Sequence, residues 1–215
     1  MMANIVVAFF LKGGPIMWPI LVCAVVAIAV VGERTYWWWC ETRLRDPEAL
    51  MKVMDTLQRG DLGAAGRLSK GSRDPVIQMV DHGLNDHETS LQVAMQAAAG
   101  AALRRAGRFL PVMDTLVTLA PLLGLLGTVT GIMRSFTSLG GAELAVSKVT
   151  GGIGEALIAT ACGLGIAILS LIPLNYFGGK VAALQYELET VASSVEVLLN
   201  RLKGRSRQEN NGTPG

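Results

Sequence analysis

A chain that commits three separate runs of about 20 residues to apolar side chains has few folds open to it. The runs are Gly13 to Gly32, Met113 to Ile132 and Ala156 to Phe177, and between them they carry one charged residue, Asp114. An α-helix rises about 1.5 Å per residue, so each run covers the roughly 30 Å of hydrocarbon in a bilayer. Helices also satisfy their own backbone hydrogen bonds, which lipid cannot do for them. An all-α membrane protein with three transmembrane helices follows, and a composition that is 51% hydrophobic and only 17% charged agrees with it.

Basic residues near helix ends set the orientation. Between the first two runs stand Arg43, Arg45, Lys52, Arg59, Arg67, Lys70, Arg73, Arg104, Arg105 and Arg108, and after the third come Lys180, Arg201, Lys203, Arg205 and Arg207. With Arg34 at the end of the first run, only Lys12, Arg134 and Lys148 are left for the other side, so the segments rich in Lys and Arg are expected in the cytoplasm and the N-terminus outside. "MMANIVVAFFLKGGP" has no basic region ahead of its apolar stretch and no small-residue cleavage site after it, so it reads as retained. The expected order is an interfacial helix at 1–12, membrane helices at 13–40, 109–135 and 149–178, a cytoplasmic helical region at 41–108, an outer loop at 136–148, a cytoplasmic C-terminal helix at 179–203 and a disordered tail at 204–215. Tyr36, Trp37, Trp38 and Trp39 are expected at headgroup depth as an aromatic belt.

The cytoplasmic region punctuates itself. Asp46 followed by Pro47, Asp61, and Asp74 followed by Pro75 are helix starts, with Gly60, Gly71 and Gly83 near the corresponding ends. A longer Ala- and Leu-rich pattern runs from about Asp86 to Leu110. In the C-terminal helix Val181, Leu184, Leu188, Val191, Val195, Leu198 and Leu202 recur at three- and four-residue steps, one apolar face that requires a partner surface.

Within the spans, "APLLGLLGTVTG" at 120–131 is apolar yet holds three glycines and two threonines. Gly124, Gly127 and Gly131, with Ala120, have small-residue spacing, and Ala159, Gly163 and Ala167 answer from the third run. Such spacing lets helix backbones approach closely, a principal source of association in lipid. The hydroxyls ask for something more. At about 100° per residue, Asp114, Thr118, Pro121, Leu125 and Thr128 share a stripe that is polar at several depths, while Glu155 and Thr160 stand about 140° apart on their helix. Measured from Arg134 and Glu155, Thr128 lies about 9 Å deep and Thr160 about 7 Å deep. Glu155, at the outer boundary, either serves function or pairs with Lys148 at the interface; Asp114, at the inner one, is either an exit group or a boundary charge near Arg108. A threonine hydroxyl can pass a hydrogen bond but cannot store a proton at physiological pH. A proton crossing here needs an acid from another chain.

Other functional classes find little support. Cys23, Cys40 and Cys162 form no CxxC pair, so neither a disulfide nor a metal framework is expected. His82 and His87 both fall in the cytoplasmic region, away from any nucleophile motif, and read as surface residues. "RGDLGAAGRLSKGS" lacks phosphate-loop spacing, so no cofactor or nucleotide is expected, and the net charge of +2 carries no signal for nucleic acid. The chain is not expected to be an enzyme.

"APLLGLLGTVTGIMRSF" followed by "GGIGEALIATACGLGIAILSLIP" resembles the ExbB/TolQ/MotA proton-channel family, and "FFLKGGPIMWPIL", "ERTYWWW" and "RGDLGAA" resemble its ExbB/TolQ branch. Three spans, one fewer than in the MotA branch, favour the same assignment. The resemblance implies a homo-oligomer, a pentamer, around the membrane helices of a dimeric ExbD- or TolR-like partner whose aspartate binds the proton. It implies pore-lining roles for Thr128, Glu155 and Thr160 and inward proton flow that drives work on a TonB- or TolA-like protein; Asp114 and Thr118 are outside that match and are candidates for the pore or the cytoplasmic exit by their place on the stripe, with a lineage-specific ion pair as the other reading of Asp114. Asp114 departs from the family pattern, where a small or neutral residue is expected.

Overall fold

The computed structural model describes residues 13–85, 90–137 and 145–211. These form seven helices, with no strand among the described residues: α1 (Met17–Leu44), α2 (Pro47–Gln58), α3 (Leu62–Ser69), α4 (Pro75–Asn85), α5 (Leu91–Ala106), α6 (Leu110–Thr137) and α7 (Ala145–Asn211). Stretches carried by α1, α6 and α7 are long and apolar enough to cross a membrane. The interfacial helix expected before residue 13, the tip of the outer loop and His87 lie outside the described residues.

The chain divides into two compact units, Met1–Thr35 with Phe109–Phe177, and Tyr36–Arg108 with Gly178–Gly215. The first holds the apolar runs. Met17, Ile20 and Ala159 are buried together, with Leu123 and Cys162 against them, and Cys23, Ala27 and Leu116 form a second buried group. This interior is thin, and large apolar side chains face outward: Ile28 is 74% exposed and Leu169 72%. A water-soluble unit would not tolerate so much exposed apolar surface; in a bilayer the acyl chains cover it. At one end of the unit Arg34 is 1% exposed, its Nε 2.5 Å and Nη2 2.6 Å from the Glu33 carboxylate, and its guanidinium lies 5.6 Å from the Phe109 ring centre. Pairing and ring stacking make a buried cation tolerable at a membrane boundary.

The second unit packs in the manner of a water-soluble helical bundle. The Asp46 and Asp61 side chains accept hydrogen bonds from the Ala49 and Ala64 amides at 2.9 and 2.8 Å, capping α2 and α3. Asp74, 1% exposed, accepts from the Val76 and Asp46 amides at 2.8 and 2.9 Å and lies 3.4 Å from Arg45, which also pairs with Glu187. Val53, Leu57, Ile77, Met79 and Val80 from α2 and α4 form the core with Met95 of α5, and Leu184, Leu188 and Val195 of α7 complete it. The apolar face of the C-terminal helix is therefore partnered within this chain.

Three boundaries differ from the sequence reading. α7 is continuous from Ala145 to Asn211, through Gly178 and Gly179 and into the segment expected to be a disordered tail. α4 continues through Gly83 to Asn85. α1 begins at Met17 and runs beyond residue 40 to Leu44, and Trp37 and Trp38, edge-on at 5.1 Å, pack against the core of the second unit, leaving Tyr36 and Trp39 as the exposed aromatics.

Candidate functional site

α6 turns one face inward, made of Met113, Leu116, Ala120, Gly124, Gly127, Gly131 and Ser135. This face meets α7 at backbone distance. A methyl group on Gly124 would stand 2.9 Å from the Thr160 Cα and 3.1 Å from the Ala159 carbonyl oxygen, and one on Gly127 would stand 2.7 Å from the Ala159 Cβ and 2.8 Å from the Ile16 Cγ2. On Gly131 it would approach the Ala156 Cβ to 3.0 Å, and on Gly163 it would run into the Ala120 carbonyl. Ala159 and Ala167 are buried on the same helix. Only hydrogen at these positions lets the two backbones come this close.

Across that crossing the Thr160 hydroxyl donates to the Gly124 carbonyl oxygen at 2.9 Å and shares its proton with the Ala156 carbonyl at 3.3 Å. The hydroxyl thus joins two helices 36 residues apart in sequence. Thr128 donates to the Leu125 carbonyl at 2.6 Å, and Thr118 to the carbonyls of Thr115 and Asp114 at 2.9 and 3.3 Å. Thr130 does the same with Leu126 and Gly127. Every one of these oxygens keeps lone pairs to offer and has spent its proton.

The stripe of Asp114, Thr118, Pro121, Leu125 and Thr128 lies about 100° around α6 from the inward face. Asp114, Thr118 and Leu125 are exposed, and Pro121 and Thr128 are half-buried. Among the described residues of the three-helix unit, none covers the stripe fully. Glu155 points elsewhere. Its carboxylate lies over Gly14, whose φ of +71° is a left-handed value that suits glycine, and its Oε1 is 3.9 Å from the Arg134 Nη1. This arrangement joins Arg134, Glu155 and Gly14 at one end of the unit and Thr160 with Gly124 nearer the middle. It does not bring Glu155 to Thr128 or Thr160. Arg134 and Gly14 served in the sequence only as a boundary marker and a turn; a lone arginine at the end of a span was the available signal for the former. No group of metal-ligating side chains occurs among the described residues.

Residues 71–190 match the model of the MotA/TolQ/ExbB proton channel family. A protein named as the ExbB-like 3 biopolymer transport protein of a Synechocystis species is 35% identical over 173 residues, which is 78% of this chain and 82% of that protein. The Tol-Pal system protein TolQ of Haemophilus influenzae is 35% identical over 109 residues, 50% of this chain and 48% of TolQ. The biopolymer transport protein ExbB of Neisseria gonorrhoeae is 31% identical over 113 residues, 52% of this chain and 51% of ExbB. The open hydroxyl stripe and the close crossing of α6 and α7 thus sit on the matched segment of a chain that belongs to the MotA/TolQ/ExbB proton channel family, on its ExbB/TolQ side.

Proposed function

We propose that this chain is the stator subunit of an inner-membrane proton channel, a homo-oligomer, most simply a pentamer, that encloses the membrane helices of an ExbD- or TolR-like single-span partner. One observation carries the reading. Between Asp114 and Glu155, at opposite ends of the membrane unit, the spans at 13–32, 115–133 and 156–177 contain no carboxylate, and the latter two carry hydroxyls. A proton crossing the middle of this unit must be bound by an acid that the chain does not own, and the open stripe of Thr118, Leu125 and Thr128 is the surface such a partner would meet. Thr128 and Thr160 hydrate the track, Glu155 with Arg134 sets the field at the outer mouth, and Asp114 stands at the cytoplasmic exit. The polar second unit and the C-terminus are cytoplasmic, and the N-terminus is outside.

Each proton moving down 100 mV releases about 2.3 kcal/mol, so a few can drive rotation or pulling against ordinary surface contacts. Work on a TonB-like protein for outer-membrane transport is the favoured output, with a TolA-like protein as the other. A non-conducting scaffold is the competing reading, and the structural use of the Thr160 hydroxyl in the α6–α7 crossing favours it at that residue. Thr160→Val therefore loosens packing whichever reading holds, and Glu155→Gln is the sharper variant. A partly exposed pair at 3.9 Å contributes no more than about 1 kcal/mol, so Gln leaves the fold intact. With the chain and its single-span partner in vesicles under a proton gradient, Glu155→Gln is expected to assemble normally and to conduct at least ten-fold less than wild type. Wild-type conduction by the variant would favour the scaffold. Full-rate proton flux through the oligomer without any partner would overturn the borrowed acid.

A further inference from the structure

The second unit holds a cavity of about 250 Å³ whose lining carries both signs of charge: Glu41 and Glu187 with Arg45 and Lys180, and Trp38 and Thr42 beside them. Three of these four charges have company. Arg45 pairs with Glu187 and lies 3.4 Å from Asp74, and the Lys180 ammonium stands 5.5 Å from the centre of the Trp38 ring. Glu41, half-buried, is the exception. Its carboxylate makes no hydrogen bond and no ion pair among the described residues. Burial pushes this carboxyl up from its ordinary range, against the pull of Arg105 and Arg45. Its oxygens are open to solvent all the same, unlike Trp38 Nε1 and Ser170 Oγ, which are sealed off without a partner. The adjacent Thr42 is exposed, and its hydroxyl donates to the Trp38 carbonyl at 2.7 Å, so it turns lone pairs outward. A half-buried anion with an acceptor for a neighbour lacks a positively charged donor.

The place of these residues along their helices indicates where that donor comes from. Glu41 follows the exposed Trp39 by two residues, about 3 Å along α1, and Lys180 follows Phe177, the last residue of the third apolar run, by three, about 4.5 Å along α7. Exposed aromatic rings next to an apolar run belong at headgroup depth, in a layer roughly 5–8 Å thick. Phospholipid headgroups are therefore the charged ligands in greatest supply at the cavity. A headgroup with a primary ammonium beside its phosphate fits both signs of the lining, since the ammonium brings N–H donors to Glu41 and Thr42 and the phosphate meets Lys180. Choline carries the charge without an N–H, and a glycerol headgroup carries hydroxyls without the charge. We propose that the cavity binds the headgroup of an aminophospholipid, its ammonium on Glu41 and Thr42 and its phosphate at Lys180. This binding depends on membrane embedding and not on proton conduction.

Three lipids of equal chain length separate the two charges. The full chain, reconstituted in nanodiscs of equimolar phosphatidylethanolamine, phosphatidylcholine and phosphatidylglycerol and then released into mild detergent, is analysed by native mass spectrometry. One phosphatidylethanolamine per chain is expected, retained about ten-fold over either other lipid, the factor that a charge-assisted hydrogen bond gives. Glu41→Gln, which costs the fold no hydrogen bond, should bring that ratio close to one. Lys180→Gln should lower phosphatidylethanolamine retention several-fold while its preference over phosphatidylcholine persists. Equal retention of phosphatidylethanolamine and phosphatidylcholine by the unaltered chain would overturn the proposal without any variant having to fold. A preference for phosphatidylglycerol would reduce the cavity to a phosphate site, and an undiminished ratio in Glu41→Gln would place the ammonium elsewhere; either result overturns it. Soluble glycerophosphoethanolamine bound by a protein that keeps no lipid would give the cavity to a metabolite and overturn it as well.

Discussion

Replacing Gly124 with alanine tests whether the α6–α7 crossing is as tight as the geometry says. The added Cβ would stand 2.9 Å from the Thr160 Cα, 3.1 Å from the Ala159 oxygen and 3.3 Å from the Thr160 oxygen, all of them backbone atoms that cannot rotate away. Carbon atoms settle at about 3.5–4.0 Å, so α7 has to retreat by roughly 0.6–1.1 Å. A retreat of that size carries the Thr160 hydroxyl, now 2.9 Å from the Gly124 oxygen, out of hydrogen-bond range. Overpacking costs about 1–3 kcal/mol and the interhelical bond about 0.6 kcal/mol, against a gain of up to about 1 kcal/mol in helix propensity. A net loss of roughly 0.6–2.6 kcal/mol is expected when the full propensity gain is realised. Gly165 and Gly154 on α7 are the controls, because an added methyl there meets nothing within 4 Å and only the propensity gain applies. Unfolding in mixed micelles of increasing SDS fraction, followed by helical circular dichroism, ranks the three variants. Because Gly124→Ala and Thr160→Val abolish the same bond, the double variant should lose less than the sum of the two. If Gly124→Ala proves as stable as Gly165→Ala, the close crossing is wrong.

Other substitutions probe separate parts of the molecule. Asp74→Ala removes a buried carboxylate that caps α4, accepts the Asp46 amide and neutralises Arg45, so the second unit should lose about 2–5 kcal/mol, read as faster proteolysis of the segment between the spans. Leu188→Ala, at a position 1% exposed, should cost about 2–5 kcal/mol by cavity formation and shorten the protease-resistant C-terminal fragment. Gly14→Ala forces an L side chain to a φ of +71°, a strain of about 1–2 kcal/mol, and pushes Glu155 from its place, so SDS resistance should fall by that amount.

The spans were legible because length and apolarity alone decide them; the sideways relations between helices were not. The spacing of Gly124, Gly127 and Gly131 announces a close neighbour without saying which helix it is, and nothing local to Thr160 names Gly124 as its acceptor. The pairing of Glu155 with Arg134 was hidden for the same reason, and Lys148, nearer in sequence, was the natural guess. Trp37 and Trp38 pack against the core of the second unit, a contact their place in the aromatic run does not announce, because an amphipathic ring suits a headgroup layer and a half-buried core equally well. Gly178 and Gly179 fall where the expected membrane and cytoplasmic helices abut, and α7 runs through them unbroken. Each glycine does weaken a helix by about 1 kcal/mol, but burial of Leu184, Leu188 and Val195 on the same helix outweighs that penalty. The caps were the reverse case: an Asp side chain reaching the amide three residues on is a local event, and Asp46 and Asp61 could be read from their neighbours alone.

The hydroxyl directions carry a consequence for the proposed channel. Thr118 and Thr128 donate their protons to carbonyls of their own helix, so what the stripe turns outward is oxygen lone pairs. Such a surface welcomes donors and repels acceptors. A neutral carboxylic acid, which carries an O–H, can pass along it with hydrogen bonds at several depths, whereas a carboxylate finds no donor there until a hydroxyl breaks its backbone bond. In the proposed channel the stripe would therefore favour the protonated form of a partner's acid, and the ionised form would be left to the two ends, where Arg134 stands on one side and the like-charged Asp114 on the other. Replacing Thr128 with valine should remove the acceptor while leaving the helix bonded, since its hydroxyl serves no second helix. Proton flux with the partner present should fall while SDS resistance stays within about 0.5 kcal/mol of wild type. Unchanged flux through Thr128→Val would mean that the stripe plays no part in the path.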